Sequence, residues 1–228
     1  MAKGKMIVFE GLDGSGKQTQ SELFFQTLKK MNKQVMKISY PRYDNDSSAL
    51  VKMYLGGAFG DEPQAVNAYA ASTFFAVDRY ASYKQDYETF YNNGGIVVAD
   101  RYTTANMLHQ GSKVDDAKAR KVFLDWVWDL EFVRYGLPVP DEVFFLNMPL
   151  EGAKMLTEKR ANKITGAAQK DIHEASDRHL TRAYETANEL IERYEWTQIN
   201  CMHKGAIRSI EEIAKEILEI FLKKEGIK

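Results

Sequence analysis

Short apolar runs alternate with helix-period segments along this chain, and that alternation sets the expected architecture. Residues 6–10 read as a first strand and residues 18–31 as a helix, with Leu23, Phe24, Thr27 and Leu28 as its buried stripe. Residues 34–40 read as a second strand that Pro41 ends. A long helical stretch covers 65–91 and stops at Asn92-Asn93-Gly94-Gly95. Residues 95–100 form a continuous apolar strand, the pattern of a parallel sheet covered on both faces. Residues 142–148 give another strand and 197–201 a short last one, before a C-terminal helix with Ile210, Ile213, Ala214, Ile217, Leu218 and Phe221 on one stripe. The expectation is an α/β, three-layer, doubly wound domain spanning 1–228, its parallel sheet of about five strands flanked by helices.

Between the first strand and the first helix lies Glu-Gly-Leu-Asp-Gly-Ser-Gly-Lys at 10–17. Strand, Gly-x4-Gly-Lys turn and helix N-terminus together make a phosphate-binding loop, which makes the fold that of a P-loop NTPase. Gly11, Gly14 and Gly16 let the backbone turn its N–H groups inward, and the Lys17 ammonium can reach the outer phosphates of a nucleoside triphosphate. Asp13, Ser15, Gln18 and Thr19 complete the expected nucleotide site. Where Ser or Thr usually ligates Mg²⁺, this chain has Gln18; its amide oxygen, Thr19 or a water could serve.

Composition adds bounds rather than chemistry. Of 228 residues, 44% are apolar, enough for a sizeable core, and 31 basic against 32 acidic residues leave a formal charge of −1. Near-neutrality gives no electrostatic reason to expect nucleic acid or an anionic membrane as partner. The single Cys201 excludes an intrachain disulfide, and no signal peptide or membrane span is visible, so a cytoplasmic location is expected. His109, His173, His179 and His203 include no i,i+4 pair, and His173 and His179 read as solvated helix residues. Asn32-Lys33-Gln34-Val35 lacks the Asp of a guanine-reading motif and lies too early for one.

Three further clusters stand where a phosphate acceptor could bind. Asp100-Arg101-Tyr102 ends the strand at 95–100, where open α/β sheets bind ligands; a carboxylate there can hold Mg²⁺, and Arg101 can clamp phosphate. Tyr40-Pro41-Arg42-Tyr43 ends the neighbouring strand, and Phe75 with Arg79, four apart on one helix face, could grip a base.

With these segments in order, the chain resembles the thymidylate kinase family. Phe-Glu-Gly-Leu-Asp-Gly-Ser-Gly-Lys at 9–17, Tyr-Pro-Arg-Tyr at 40–43, Phe-Phe-Ala-Val-Asp-Arg at 74–79 and Asp-Arg-Tyr at 100–102 carry the resemblance. Asn106, Gly-Leu-Pro-Val-Pro-Asp at 136–141, and Asp171 to Glu174 with Asp177 extend it. The resemblance implies ATP and Mg²⁺ as cofactors, dTMP as acceptor, transfer to give dTDP, and a homodimer built from the helix at 65–91 and the aromatic segment 123–135. It implies that Phe75 stacks on thymine, that Arg79 and Asn106 meet the base's polar edge, and that Arg101 bridges the acceptor phosphate and the γ-phosphate. Arg42, Tyr43 and Tyr102 would line the monophosphate site, with Asp13 at the 3′-hydroxyl or the metal and His109 beside the sugar, where many relatives carry Tyr. Asp13, Asp100, Gln18 and Glu174 are the candidate metal ligands, with Glu174 also near substrate. Gly14 stands where some relatives have Arg, so further catalytic cations are expected from a short lid at about 158–176, namely Arg160, Lys163 and Lys170, with Arg178 or Arg182 next. Two other readings share the P-loop: a deoxynucleoside kinase, and a non-catalytic nucleotide-binding regulator.

Overall fold

In a computed structural model of the chain, the described residues are 3–161, 172–173 and 176–226, without the side chains of 154 and 157–161. Five strands, β1 (Lys5–Glu10), β2 (Val35–Ser39), β3 (Ile96–Asp100), β4 (Glu142–Asn147) and β5 (Thr197–Asn200), form one parallel sheet in the order β2-β3-β1-β4-β5. The chain reverses its winding direction beside β1, so the crevice above β1 and β3 is the ligand position of such a sheet.

Strand alternation sends neighbouring side chains into different layers. Met6, Val8, Val97, Ala99, Val143 and Phe145 enter one core, and Ile7, Phe9, Val98, Phe144, Leu146 and Ile199 the other. This is why the strands read as unbroken apolar runs. On the second face, α1 (Lys17–Lys30) places Phe24 against Phe9 and Phe221, at centroid separations of 5.5 and 5.1 Å. Burying such a ring contributes roughly 1.5–3 kcal/mol. The stripe of α1 differs from expectation. Phe24 and Leu28 are buried as predicted, but Leu23 is exposed, and Gln20 and Ser21 are buried instead, Gln20 donating to the Ile210 carbonyl at the start of the C-terminal helix α9 (Ile210–Lys224). In α9 the stripe narrows to Ile213, Ile217 and Phe221, leaving Ile210 exposed beside the Ser209 capping box.

The stretch expected as one long helix is divided. α3 (Ala68–Ser82) is capped by Asn67, passes through a π turn at Tyr83–Tyr87, and continues as α4 (Glu88–Asn92). α2 (Ala49–Leu55) precedes it, and α5 (Thr103–His109) and α6 (Ala117–Trp128) follow β3, with a second π turn at Asp129–Arg134. α7 (Leu150–Ala161), α8 (Asp177–Tyr194) and the small hairpin β6 (Met202–His203) and β7 (Ala206–Ile207) complete the elements. Among the described residues no helix is long and apolar enough to cross a membrane.

Candidate active site

A cavity of about 730 Å³ opens at the C-terminal end of the sheet. Its floor is the turn between β1 and α1. Gly14 and Gly16 adopt φ of 79° and 90°, a region open to glycine at no steric cost. Gly16 is the N-cap of α1 with no side-chain cap, and Gly16, Lys17, Gln18 and Thr19 all line the cavity. An uncapped helix N-terminus aimed at a cavity is an anion site. Among the described residues the buried Ser15 hydroxyl finds no hydrogen-bond partner, a second donor suited to a phosphate oxygen. Lys17 Nζ donates to the Gly11 and Leu12 carbonyls, each at 2.7 Å. Burial, with the Arg101 guanidinium next in weight, brings its ammonium down to about 8. Gly11 holds this turn rather than facing the cavity. Its N–H is taken by Glu10 Oε1 at 2.9 Å, and it is not among the residues that line the cavity. Glu10 itself is fully buried, is anchored by Thr104 Oγ1 at 2.7 Å, and is pushed up by that burial. No local sequence signal marked it.

Arg101 projects from the end of β3 in the left-handed region, φ 66°, with its N–H fixed on the Phe9 carbonyl at 3.1 Å. A non-glycine residue held there stores backbone strain, a feature that concentrates at functional sites. Its guanidinium is ion-paired with Asp13 and meets His109 Nε2 at 3.2 Å. Burial alone would raise the Asp13 carboxyl, but Arg101 and Lys17 outweigh it and hold Asp13 well below the ordinary carboxylate range. Asp13, Asp100 and Gln18 line the same cavity and offer oxygen donors, the set a hard divalent cation takes.

At the acceptor side, Phe75, Arg79, Asn106, Tyr43 and His109 line the cavity as expected. Arg79 is 1% exposed and gripped by the fully buried Glu131, with Nε–Oε2 at 2.5 Å and NH2–Oε1 at 2.6 Å. Glu131 also accepts from Asn106 Nδ2 at 2.9 Å and Thr103 Oγ1 at 2.9 Å. The second Asn106 amide proton goes to the Ser72 carbonyl at 3.1 Å. Both amide protons are thereby used, so Asn106 offers the cavity its Oδ1 alone, as an acceptor. Glu131 was missed because nothing distinguishes it in sequence from the solvated acids around it.

Two expected substrate contacts are placed elsewhere. Tyr102 is fully buried, donates to the Pro138 carbonyl at 3.0 Å and lies in the core rather than on the cavity wall. Arg42 does not line the cavity either. Its guanidinium is drawn to Asp78 and Asp86 and to Ser47 Oγ at 3.1 Å, two of these partners being carboxylates that outcompete an open cavity for the charge. His173 and His179 are not solvated: both are buried, and with His109 they form a ring stack. The Arg160 side chain, Lys163, Lys170 and Glu174 lie outside the described residues. Arg182 is paired with Asp115, and Arg178 is exposed. The far end of the cavity, unmarked in sequence, is apolar, with Met148, Leu156, Ile207, Ile210 and Ile213 beside Arg208.

The family model described as Thymidylate kinase matches residues 9–217. The chain belongs to the thymidylate kinase family. It is 31% identical to the thymidylate kinase of Mycobacterium tuberculosis over 165 residues, 72% of this chain and 75% of that protein. With the thymidylate kinase of Plasmodium falciparum it shares 26% identity over 217 residues, 95% and 89% of the two chains. A solved thymidylate kinase from Candida albicans superposes with a TM-score of 0.73 at 20% identity, covering 99% of this chain and 94% of that one, and bears out the five-stranded fold. Family membership carries the reaction class, phosphorylation of dTMP by a nucleoside monophosphate kinase.

Proposed function

We propose that this chain transfers the γ-phosphoryl group of ATP to dTMP, giving dTDP and ADP, with Lys17 and Arg101 as the groups that carry the developing charge. The observation that carries this reading is that the uncapped α1 N-terminus, Lys17 and Arg101 line one cavity, with Arg101 paired to Asp13 of the same loop. The same cavity is lined by the apolar Met148, Leu156, Ile207 and Ile213 and by Phe75, Arg79 and Asn106. An oxygen of the dTMP phosphate attacks the γ-phosphorus, and the bond to the ADP oxygen breaks. The protein has to align the two, exclude water and neutralise charge. Asp13, Asp100 and Gln18 fit as holders of Mg²⁺, which supplies positive charge across the donor phosphates. Asp13, paired with Arg101 here, would be the carboxylate to hold the metal or meet the 3′-hydroxyl. Phe75 offers a stacking face, Arg79 a donor toward a thymine carbonyl, and Asn106 Oδ1 an acceptor for thymine N3–H. Tyr43 and a re-paired Arg42 face the monophosphate.

The family resemblance implies a short lid at about 158–176, with Arg160, Lys163 or Lys170 serving the transfer and Glu174 the substrate, side chains that lie outside the described residues; the chain is read as one domain spanning 1–228 of a cytoplasmic enzyme. Self-association as a homodimer is supported by exposed Tyr69, Val77 and Tyr80 on α3 and Val122 and Val133 near α6. Sedimentation at micromolar concentration gives twice the 26.1 kDa chain mass if so, and the chain mass if not.

A coupled ADP-release assay with dTMP, dUMP, thymidine or no acceptor tests the central reading. Release with dTMP and not with thymidine supports it. Release with thymidine points to a nucleoside kinase, and no stimulation by any acceptor points to a regulator.

A further inference from the structure

His109, His173 and His179 bring their ring nitrogens within 4.8 Å of one another in a buried stack. His109 and His173 line the cavity, and His179 stands behind them on α8. The polarity of this cluster can be worked out from the one member that has no choice. A guanidinium can only donate. Arg101 NH1 stands 3.2 Å from His109 Nε2, so that nitrogen carries the lone pair and the proton of the neutral ring is on Nδ1. His109 Nδ1 in turn lies 3.4 Å from His179 Nε2, which therefore accepts. The chain of donors runs from Arg101 to His109 to His179. Burial and the Arg101 charge keep the His109 ring neutral, as the chain requires.

We propose that His179 is a positioning residue for phosphoryl transfer: it holds His109 in the Nδ1–H form and, through it, fixes the direction of the Arg101 guanidinium. The need for such a device follows from the other restraint on Arg101. Its contact with Asp13 is the one given up if Asp13 turns to the metal or the sugar, and His109 Nε2 is then the contact that remains. Free imidazole favours the proton on Nε2, which would turn a donor against the donors of Arg101. An acceptor placed at Nδ1 reverses that preference. His179 is itself set by the first turn of α8, where its N–H donates to the Ser176 cap at 3.3 Å, and α8 packs on α5, which carries His109.

A chelated metal is the rival use of three clustered imidazoles. The charges that face the cluster oppose it: Arg101, Lys17, Lys113 and Arg182 against Asp13. An ion ligated by His109 Nε2 would also displace the Arg101 contact.

The inference rests on the proposed role of Arg101, and its test reads the tautomer apart from activity. In the full chain, ¹⁵N–¹H spectra of the imidazoles should show His109 protonated on Nδ1, shifting toward Nε2 in His179→Leu. Turnover of His179→Leu should fall on the order of tenfold with the KM for dTMP within about twofold, because a misdirected group lowers the rate of a step more than binding. His179→Gln keeps an acceptor oxygen near the same place and should retain most turnover; thermal melts confirm that both variants fold. An Nε2-protonated His109 in the wild-type protein, or a His179→Gln as slow as His179→Leu, overturns the proposal. So does uptake of one equivalent of Zn²⁺ lost in His179→Leu, since a chelating cluster cannot hold that proton. Unchanged turnover in Arg101→Ala removes the role beneath it, whatever the tautomer shows.

Discussion

Glu131 holds Arg79 with both carboxylate oxygens, at 2.5 and 2.6 Å, in a place where neither residue reaches solvent. The pair orients the cavity's base-reading end, since the same carboxylate also takes a proton of Asn106. Truncating one member leaves the other as a buried, uncompensated charge. Glu131→Ala should therefore lose about 3–5 kcal/mol of stability in urea unfolding. A loss below about 1 kcal/mol would mean that water or another acceptor replaces the carboxylate.

Base choice should follow from the polarity fixed by that carboxylate. Stacking on Phe75 accepts any base, whereas Arg79 only donates and Asn106 presents only its oxygen. Cytosine brings an amine toward Arg79 and lacks the N3 proton, leaving buried groups unpaired at about 1–3 kcal/mol each. dCMP should be a far poorer acceptor than dTMP, and dUMP poorer by a smaller factor. Arg79→Ala should narrow the dTMP/dCMP ratio of kcat/KM mainly by losing dTMP activity; a ratio unchanged from wild type would show that Arg79 does not read the base.

Lys17 spans the turn from α1 to the Gly11 and Leu12 carbonyls and lines the cavity beside the α1 N-terminus. Lys17→Ala should lower turnover by two or more orders of magnitude, as one preorganised donor is worth about 3 kcal/mol at the transition state. A variant that retains a tenth of wild-type turnover removes Lys17 from the mechanism.

Acid should destabilise the fold through His179. Burial holds this imidazole down to about 4, against 6.5 for the free side chain. Between those values the unfolded chain binds a proton that the folded chain refuses. Stability then falls as pH drops through the window, by up to roughly 1.4 kcal/mol per pH unit. Melting temperatures from pH 7 to 4.5 should fall less steeply for His179→Gln than for wild type. Parallel curves would show that His179 does not titrate on unfolding.

The sheet and the phosphate loop were legible in the sequence for physical reasons. A parallel strand covered on both faces must be apolar throughout, as at Val97, Val98 and Ala99, and the loop needs glycine at Gly14 and Gly16, where φ is positive. Phe75 and Asn106, singled out in the sequence, line the cavity. What sequence hid were polar residues whose partners are remote in the chain. Glu131 and Glu10 look like surface acids until tertiary packing brings them Arg79, Thr104 and the Gly11 amide. Likewise His173 and His179 lack metal-type spacing; the approach of α5 to α8 brings His179 to His109, and the turn at 172–173, held on Leu55 and Tyr54 of α2, brings His173. Tyr102 shows the reverse case: the chain turns at the left-handed Arg101, and the residue next to it lies in the core.

The central claim is that the phosphoryl acceptor is the phosphate of dTMP. The most direct measurement follows label from [γ-³²P]ATP in the presence of dTMP and, separately, thymidine, with products separated by chromatography. Label should appear in dTDP, formed only with dTMP present and lost in Lys17→Ala. Label in dTMP made from thymidine, or label released only as inorganic phosphate whether or not dTMP is present, would contradict it.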